Sequence, residues 1–405
     1  MRPITWTTIA AALAVICLSS PVVGEMPKNQ QKKYPPKDEI PNLKSPQMKK
    51  WMAEIDWSKV PKIPMSKANR PECPECPEDK KKIPKDSCWW TCGGCVAKDD
   101  VEKCPKAKSW GLTYDDGPSE DTPRLLKKLK ASNATATFFI VGSRVLEYPE
   151  LLKQQVREGH HLAIHTWSHQ GMTSLSNEEV VAELKWAEQI IFDVTGLKTK
   201  YWRPPYGDVD NRVREIARQF GYKTVIWTKE WDSNDWQLPE KTITTKQVYR
   251  NFKWALSTLP KLKYGPITLE HDLFESDVNV AHALLDMGIA KGLDPMDIAR
   301  CLSDDRPYQN SPVKKVDPPK KPALPQLPQS PPPQVAAKPV AAVEEEEAKA
   351  PPAAAPPKKV EDEVKPAADN GEIDAQGTKK LGAGIRVQWG ASAVAVVVAT
   401  AAFLL

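Results

Sequence analysis

The chain has 405 residues, and its 57 Lys and Arg against 52 Asp and Glu leave a formal charge of only +5, which sits on no recognisable nucleic-acid motif. Nucleic acid is therefore not expected among its partners. Its 39 prolines are too many for uniform packing, so part of the chain is expected to be extended.

Residues 1–24 combine Arg2, an apolar run over 9–18 and a small-residue stretch ending near Gly24. This is the pattern of a secretory signal peptide, with a retained membrane anchor as the alternative. Residues 25–72 are rich in Lys and Pro, with 11 basic residues against four acidic ones over 26–70. They read as an extended basic arm, either leaning on an acidic surface or disordered. Six cysteines then fall within 73–104 in the spacing C-x2-C-x11-C-x3-C-x2-C-x8-C. In an oxidising compartment they are expected to form disulfides, whereas in a reducing one the C-x2-C steps would suit structural zinc. Without Cys17 the count is seven, so Cys301 either bridges back to this cluster and strands another thiol, or stays free itself.

Residues 105–305 hold few prolines and are long enough for one sizeable core. Short apolar runs at 110–114, 137–141, 161–165 and from 201, 222 and 266 alternate with helical patterns over 122–131, 148–158, 177–194, 209–220, 246–259 and 278–289. The Ser176 to Glu179 capping box marks one helix start. Alternation of this kind predicts an α/β fold, a (β/α) barrel. A last strand near 293–299 carries Pro295 and two acids, so closure there is poorly patterned. Residues 306–380 are mostly Pro, Ala, Lys and Glu and read as a disordered stalk. Polyproline-type extension at about 3.1 Å per residue gives it a reach of up to roughly 200 Å. Residues 381–405, ending in ASAVAVVVATAAFLL, fit a glycosylphosphatidylinositol attachment signal, with a tail anchor as the alternative.

Chemistry concentrates where predicted strands end. HTWSH sets His165 and His169 four apart, a spacing that on a helical turn would face both imidazoles one way, toward a divalent metal. Read with TYDDG (113–117), it gives one carboxylate and two imidazoles, three ligands with positions left open for water and substrate. RPPYG (203–207), WDSNDW (231–236) and LEHD (269–272) fall at further strand ends, and in a βα barrel those ends converge on one face.

Together the five motifs resemble those of the polysaccharide deacetylases of carbohydrate esterase family 4, the NodB-type deacetylases, and among them the fungal chitin deacetylases. The resemblance implies a distorted (β/α) barrel with Asp115 as general base, Asp116, His165 and His169 as ligands of one zinc or cobalt ion, and His271 as general acid. It further implies that Arg203 holds the base, that Asp235 orients His271, that the Tyr206 backbone N–H faces the oxyanion, that Trp236 walls the groove and that Leu269 floors the acetyl pocket. Tyr114 stands where phenylalanine is usual, a mild change on an apolar strand. The implied reaction is hydrolysis of the N-acetyl groups of chitin, giving chitosan and acetate. An O-acetyl esterase on another wall polysaccharide and a non-catalytic wall-binding protein are the alternatives. Neighbouring side chains on a strand point to opposite faces, so Asp115 and Asp116 are expected to diverge where the strand runs out.

Three expectations stand outside the site. Asn133 opens the NAT sequon and is a candidate glycan acceptor. CWWTCGGC is either a carbohydrate-binding knot that uses Trp89 and Trp90 as stacking platforms or a disulfide-bonded extension of the catalytic domain. The protein is expected to be a monomer, secreted and lipid-anchored outside the plasma membrane, at the cell wall.

Overall fold

The computed structural model describes residues 24–68 and 73–312. The expected lipid-attachment signal, the signal peptide apart from Gly24 and the stalk beyond residue 312 lie outside these residues. The N-terminal arm is folded over residues 24–68, because apolar residues are spaced between its lysines, and Lys37 also pairs with Glu147 at 2.7 Å. After α1 (Lys28–Gln31), α2 (Pro46–Ala53) is N-capped by Ser45, whose Oγ accepts from the Met48 N–H, and it begins with Pro46, which lacks the N–H a first turn cannot use. Met48 and Trp51 of α2, with Met26, Ile55 and Val60, are buried in the main core, while Lys49 and Lys50 face solvent. Trp51 meets Trp186 edge to face at 5.2 Å between ring centroids.

The cysteine-rich segment is stapled to itself around α3 (Trp90–Gly93) by Cys76–Cys92 and Cys88–Cys95. Cys104 pairs with Cys301, so the bridged alternative holds and Cys73 is the thiol left over among the described residues. Trp89 is buried and donates from Nε1 to Asp208 at 2.7 Å, and Trp90 lies 4.5 Å from the ring of Trp227. The Trp89 ring is thus a packing element, while Trp90 is half-buried against Trp227.

Strands then alternate with helices. Around β1 (Lys103–Cys104), β2 (Ser109–Gly111), β3 (Thr113–Asp115), β4 (Thr137–Ile140), β5 (His161–Ile164), β6 (Tyr201–Trp202), β7 (Lys223–Thr224), β8 (Gly265–Pro266) and β9 (Asp294–Met296) run α4 (Thr122–Ala131), α5 (Pro149–Arg157), α6 (Asn177–Thr195), α7 (Asn211–Gln219), α8 (Thr245–Thr258), α9 (Glu275–Ala290) and α10 (Ile298–Cys301). Strands β3 to β7 form one parallel sheet in sequence order. Closure is irregular: the Thr228 N–H donates to the Ile267 carbonyl, and single parallel bridges join Asp232 to Leu269, Gly111 to Ile267 and Asp115 to His271. The result is a distorted barrel. The poorly patterned last strand does form, with β9 pairing parallel to β2 despite Pro295.

Period-two alternation divides the core. Phe139, Ala163, Tyr201, Val225 and Ile267 cluster with the Cys104–Cys301 bridge, whereas Phe138, Ile140, Leu162, Ile164 and Trp202 join the larger cluster under the helices. The capping box of Ser176 and Glu179 starts α6, and Gly196 ends it in a left-handed cap. Residues 306–312, assigned above to the stalk, belong to the folded unit: Tyr308 is buried, and its hydroxyl accepts from the Leu162 N–H at 3.0 Å. Asn133 is exposed after α4 in a left-handed conformation, where its side chain is accessible.

If the arm is held by apolar burial, Trp51→Ala lowers unfolding stability by about 3–5 kcal/mol, and Lys49→Ala changes it by less than about 0.5 kcal/mol. Denaturant midpoints of the two variants check this. Equal effects would return the arm to a charge-held segment.

Candidate active site

All five motifs emerge on one face because the strands that carry them run parallel, and the backbone bends sharply as each strand ends. Asp115 closes β3 in extended conformation, and Asp116 follows with φ 78°. Strand alternation alone does not separate the two carboxylates; the left-handed turn at Asp116 does. The turn is locked by Asp272, which accepts from the Gly117 N–H at 3.1 Å and the Thr122 hydroxyl at 2.6 Å. A Cβ at Gly117 would collide with the Asp272 carboxylate. Burial pushes the Asp272 carboxyl up to about 7.

His165 and His169 do not lie on a helical turn. They bracket a loop in which Thr166 and His169 have φ 65° and 59°. The His169 N–H donates to Thr166 Oγ1 at 3.1 Å. His165 Nδ1 lies 2.8 Å from the Arg203 carbonyl, which can only accept, so Nδ1 carries the proton and Nε2 presents a lone pair. That Nε2 stands 3.3 Å from Asp116 Oδ1, and His169 Nε2 stands 3.1 Å from the same oxygen. Asp116 Oδ1 is buried and has no hydrogen-bond partner among the described residues. Donor atoms of Asp116, His165 and His169 all lie within 4.8 Å of one another. Lone pairs converging in this way need a cation between them, and a carboxylate with two imidazoles suits a divalent transition metal.

Beside this triad, Asp115 is buried and accepts from Arg203 Nη1 at 2.9 Å; the same nitrogen donates to Thr113 Oγ1 at 2.8 Å. The guanidinium carbon of Arg203 sits 4.2 Å from the Phe139 ring centroid, so the cation is held on both sides without solvent. Asp115 Oδ2 comes within 3.9 Å of His165 Nε2, which sets this carboxylate next to the candidate metal position.

The bridge between Asp115 and His271 brings the opposite partner onto the adjacent strand. Asp235, fully buried, accepts from His271 Nδ1 at 2.7 Å and from the His271 N–H at 2.8 Å. Burial lowers the pKa of His271, but the charge and hydrogen bond of Asp235, helped by Asp116 and Asp115, overcome it and raise it well above the ordinary histidine value. Tyr206, at φ 59°, places its ring 4.8 Å from that of His169. Trp236 is exposed and Leu269 buried.

Asp115, Asp116, His165, His169, Arg203, Asp235 and His271 are thus in mutual contact or bridged here, with the Tyr206 ring beside His169. Sequence reading assigned no part to Thr113, Glu183, Asp208 and Asp272. Asp208 accepts from Trp89 Nε1 and from the Thr173 N–H, both at 2.7 Å, tying the cysteine-rich segment to the RPPYG loop. Asp272 lay within a quoted motif, whereas nothing in helical spacing marked Glu183.

The polysaccharide deacetylase family model matches residues 102–225. Chitin deacetylase 1 of Cryptococcus neoformans var. grubii is 43% identical over 283 residues, covering 67% of this chain and 59% of that one. The chitin deacetylase of Amylomyces rouxii is 35% identical, covering 63% and 61%. Chitin deacetylase 1 of Saccharomyces cerevisiae is 38% identical, covering 55% and 69%. The chain therefore spans about three fifths of the length of the first two relatives. Among solved structures, the chitin deacetylase of Colletotrichum lindemuthianum is 26% identical with a TM-score of 0.49, covering 53% of this chain and 97% of that one. The chain belongs to the polysaccharide deacetylase family.

Because Asp235 is the largest influence lifting His271, Asp235→Asn leaves burial opposed only by the more distant Asp116 and Asp115. The imidazole then titrates at a lower pH than in the parent, a shift that NMR of its ring protons follows. An unchanged titration would mean that Asp235 only positions the ring.

Proposed function

We propose that the chain hydrolyses the N-acetyl groups of chitin to give chitosan and acetate. The convergence of Asp116, His165 and His169 beside Asp115, with His271 on the neighbouring strand, carries this reading. The names of the relatives support the substrate. Zinc or cobalt is the proposed ion; when bound, it supplies polarisation of the acetyl carbonyl and a lowered pKa for water.

Asp115 takes the proton of the attacking water as its oxygen bonds to the acetyl carbon, while Arg203 holds the carboxylate in place. The Tyr206 backbone N–H is assigned to the developing oxyanion. An amine leaves poorly, so His271, kept protonated by Asp235, gives its proton to the nitrogen as the C–N bond breaks. Acetate and the free amine balance the step. Trp236 walls the sugar groove, and Leu269 floors the pocket for the methyl group.

Three disulfides support an oxidising setting outside the cytosol. We place the protein at the cell surface by lipid anchorage, with Asn133 glycosylated, and release by a phosphatidylinositol-specific phospholipase checks the anchor.

The test supplies zinc or cobalt to the full chain and measures acetate from N-acetylglucosamine oligomers and from acetylated xylan. Release from the oligomers is expected, with a loss of about 10²-fold or more in Asp115→Asn and no stoichiometric metal in His165→Ala. Release from xylan alone would replace the reading with an O-acetyl esterase. Metal bound without release from either would leave a binding protein.

A further inference from the structure

The loop that presents His165 and His169 depends on a carboxylate from outside the motifs. Glu183, on α6, is fully buried and lies 14 residues beyond the second histidine. Its Oε2 accepts from the N–H groups of Trp167 and Ser168, both at 2.8 Å, and its Oε1 accepts from the Ser168 hydroxyl at 2.6 Å. The Gly142 N–H donates to the Thr166 carbonyl at 2.9 Å, and the Ser143 N–H to that of Trp167 at 3.1 Å. The strand-end loop thus has its carbonyls held from one side and its N–H groups from the other.

The Trp167 side chain is fixed as well, by donation from Nε1 to the Pro36 carbonyl at 2.9 Å and by stacking with Tyr34 at 6.2 Å. With Thr166 and His169 both left-handed, such a loop keeps its shape only if its surroundings over-determine it. Two N–H groups aimed into a buried space would otherwise go unpaired, and the loop would turn to find partners.

We propose that Glu183 is a positioning residue for the metal triad, one that sets the spacing of His165 and His169 by bracketing the backbone between them. This rests on the reading of Asp116, His165 and His169 as metal ligands. The role is geometric. A glutamine has one carbonyl oxygen for the two N–H groups and an amide N–H₂ that donates to the Ser168 oxygen, so it can reproduce the bracket with donor and acceptor reversed at one bond.

The test measures zinc affinity of the full chain by competition with a chromogenic chelator, beside far-UV circular dichroism and thermal unfolding without metal. Glu183→Leu, similar in size and unable to accept, is expected to weaken zinc binding by about 10–100-fold, the range for groups that orient ligands. Glu183→Gln is expected to restore the affinity to within about threefold of the parent, by the same bracket. A folded Glu183→Leu that binds zinc as the parent does would overturn the proposal, as would Glu183→Gln binding as weakly as Glu183→Leu. Should Glu183→Leu not fold, Ser168→Ala replaces it: weaker zinc binding supports the proposal, and unchanged binding overturns it. A parent chain that binds no zinc would sink the reading of the metal site itself, a result distinct from either variant's.

Discussion

One carboxylate oxygen and two imidazole nitrogens face one another within van der Waals reach, and no proton donor among the described residues separates them. That constraint organises the molecule. Lone pairs do not gather in a buried place unless something holds them there, and here the holding is distributed: the Arg203 carbonyl fixes the tautomer of His165, Glu183 fixes the loop, and Asp272 fixes the turn that presents Asp116. The arrangement favours a cation because each ligand is oriented by its neighbours before any ion arrives.

The fold's division of labour follows. Parallel strands bring the motifs to one end, and the interior beneath them changes character along the barrel, from the disulfide and the aliphatic and aromatic side chains to Thr113, Asp115 and Arg203 near the site. Asp115, held by the solvent-free Arg203 guanidinium, and His271, held by the solvent-free Asp235 carboxylate, are joined by a parallel bridge. Asp235 raises the proton affinity of His271, and Arg203 holds the Asp115 carboxylate in place. A small barrel achieves this with neighbours rather than with distance.

Much of this was legible in the sequence. Strands, helices and the capping box fall close to where alternation and spacing put them, and the motif residues gather as the resemblance implied. What stayed hidden depended on backbone conformation or on long-range packing. Asp116, Thr166, His169, Tyr206 and Asn234 all adopt positive φ within the motif loops; Asp, His and Asn favour that region only as a tendency, and Thr166 and Tyr206 give no sign of it. Glu183 and Trp51 sit in helices whose spacing shows an inward face but not what that face meets. The arm looked disordered because composition counts its lysines and prolines, whereas burial depends on where Met48 and Trp51 fall. Residues 306–312 were lost for the same reason, since one tyrosine in a proline-rich context carries the contact.

The bridge between Cys104 and Cys301 closes a covalent ring over a sequence separation of 197, which takes in the whole set of motif loops. A protease that cuts one peptide bond anywhere inside that ring produces a nicked chain but not two molecules. Both sides of the cut remain tethered through sulfur, so the Asp116, His165 and His169 triad, Asp115 and His271 stay in one particle and the packed barrel can hold them in register. Against such a cut the bond acts less as a brace for the fold than as insurance against being divided.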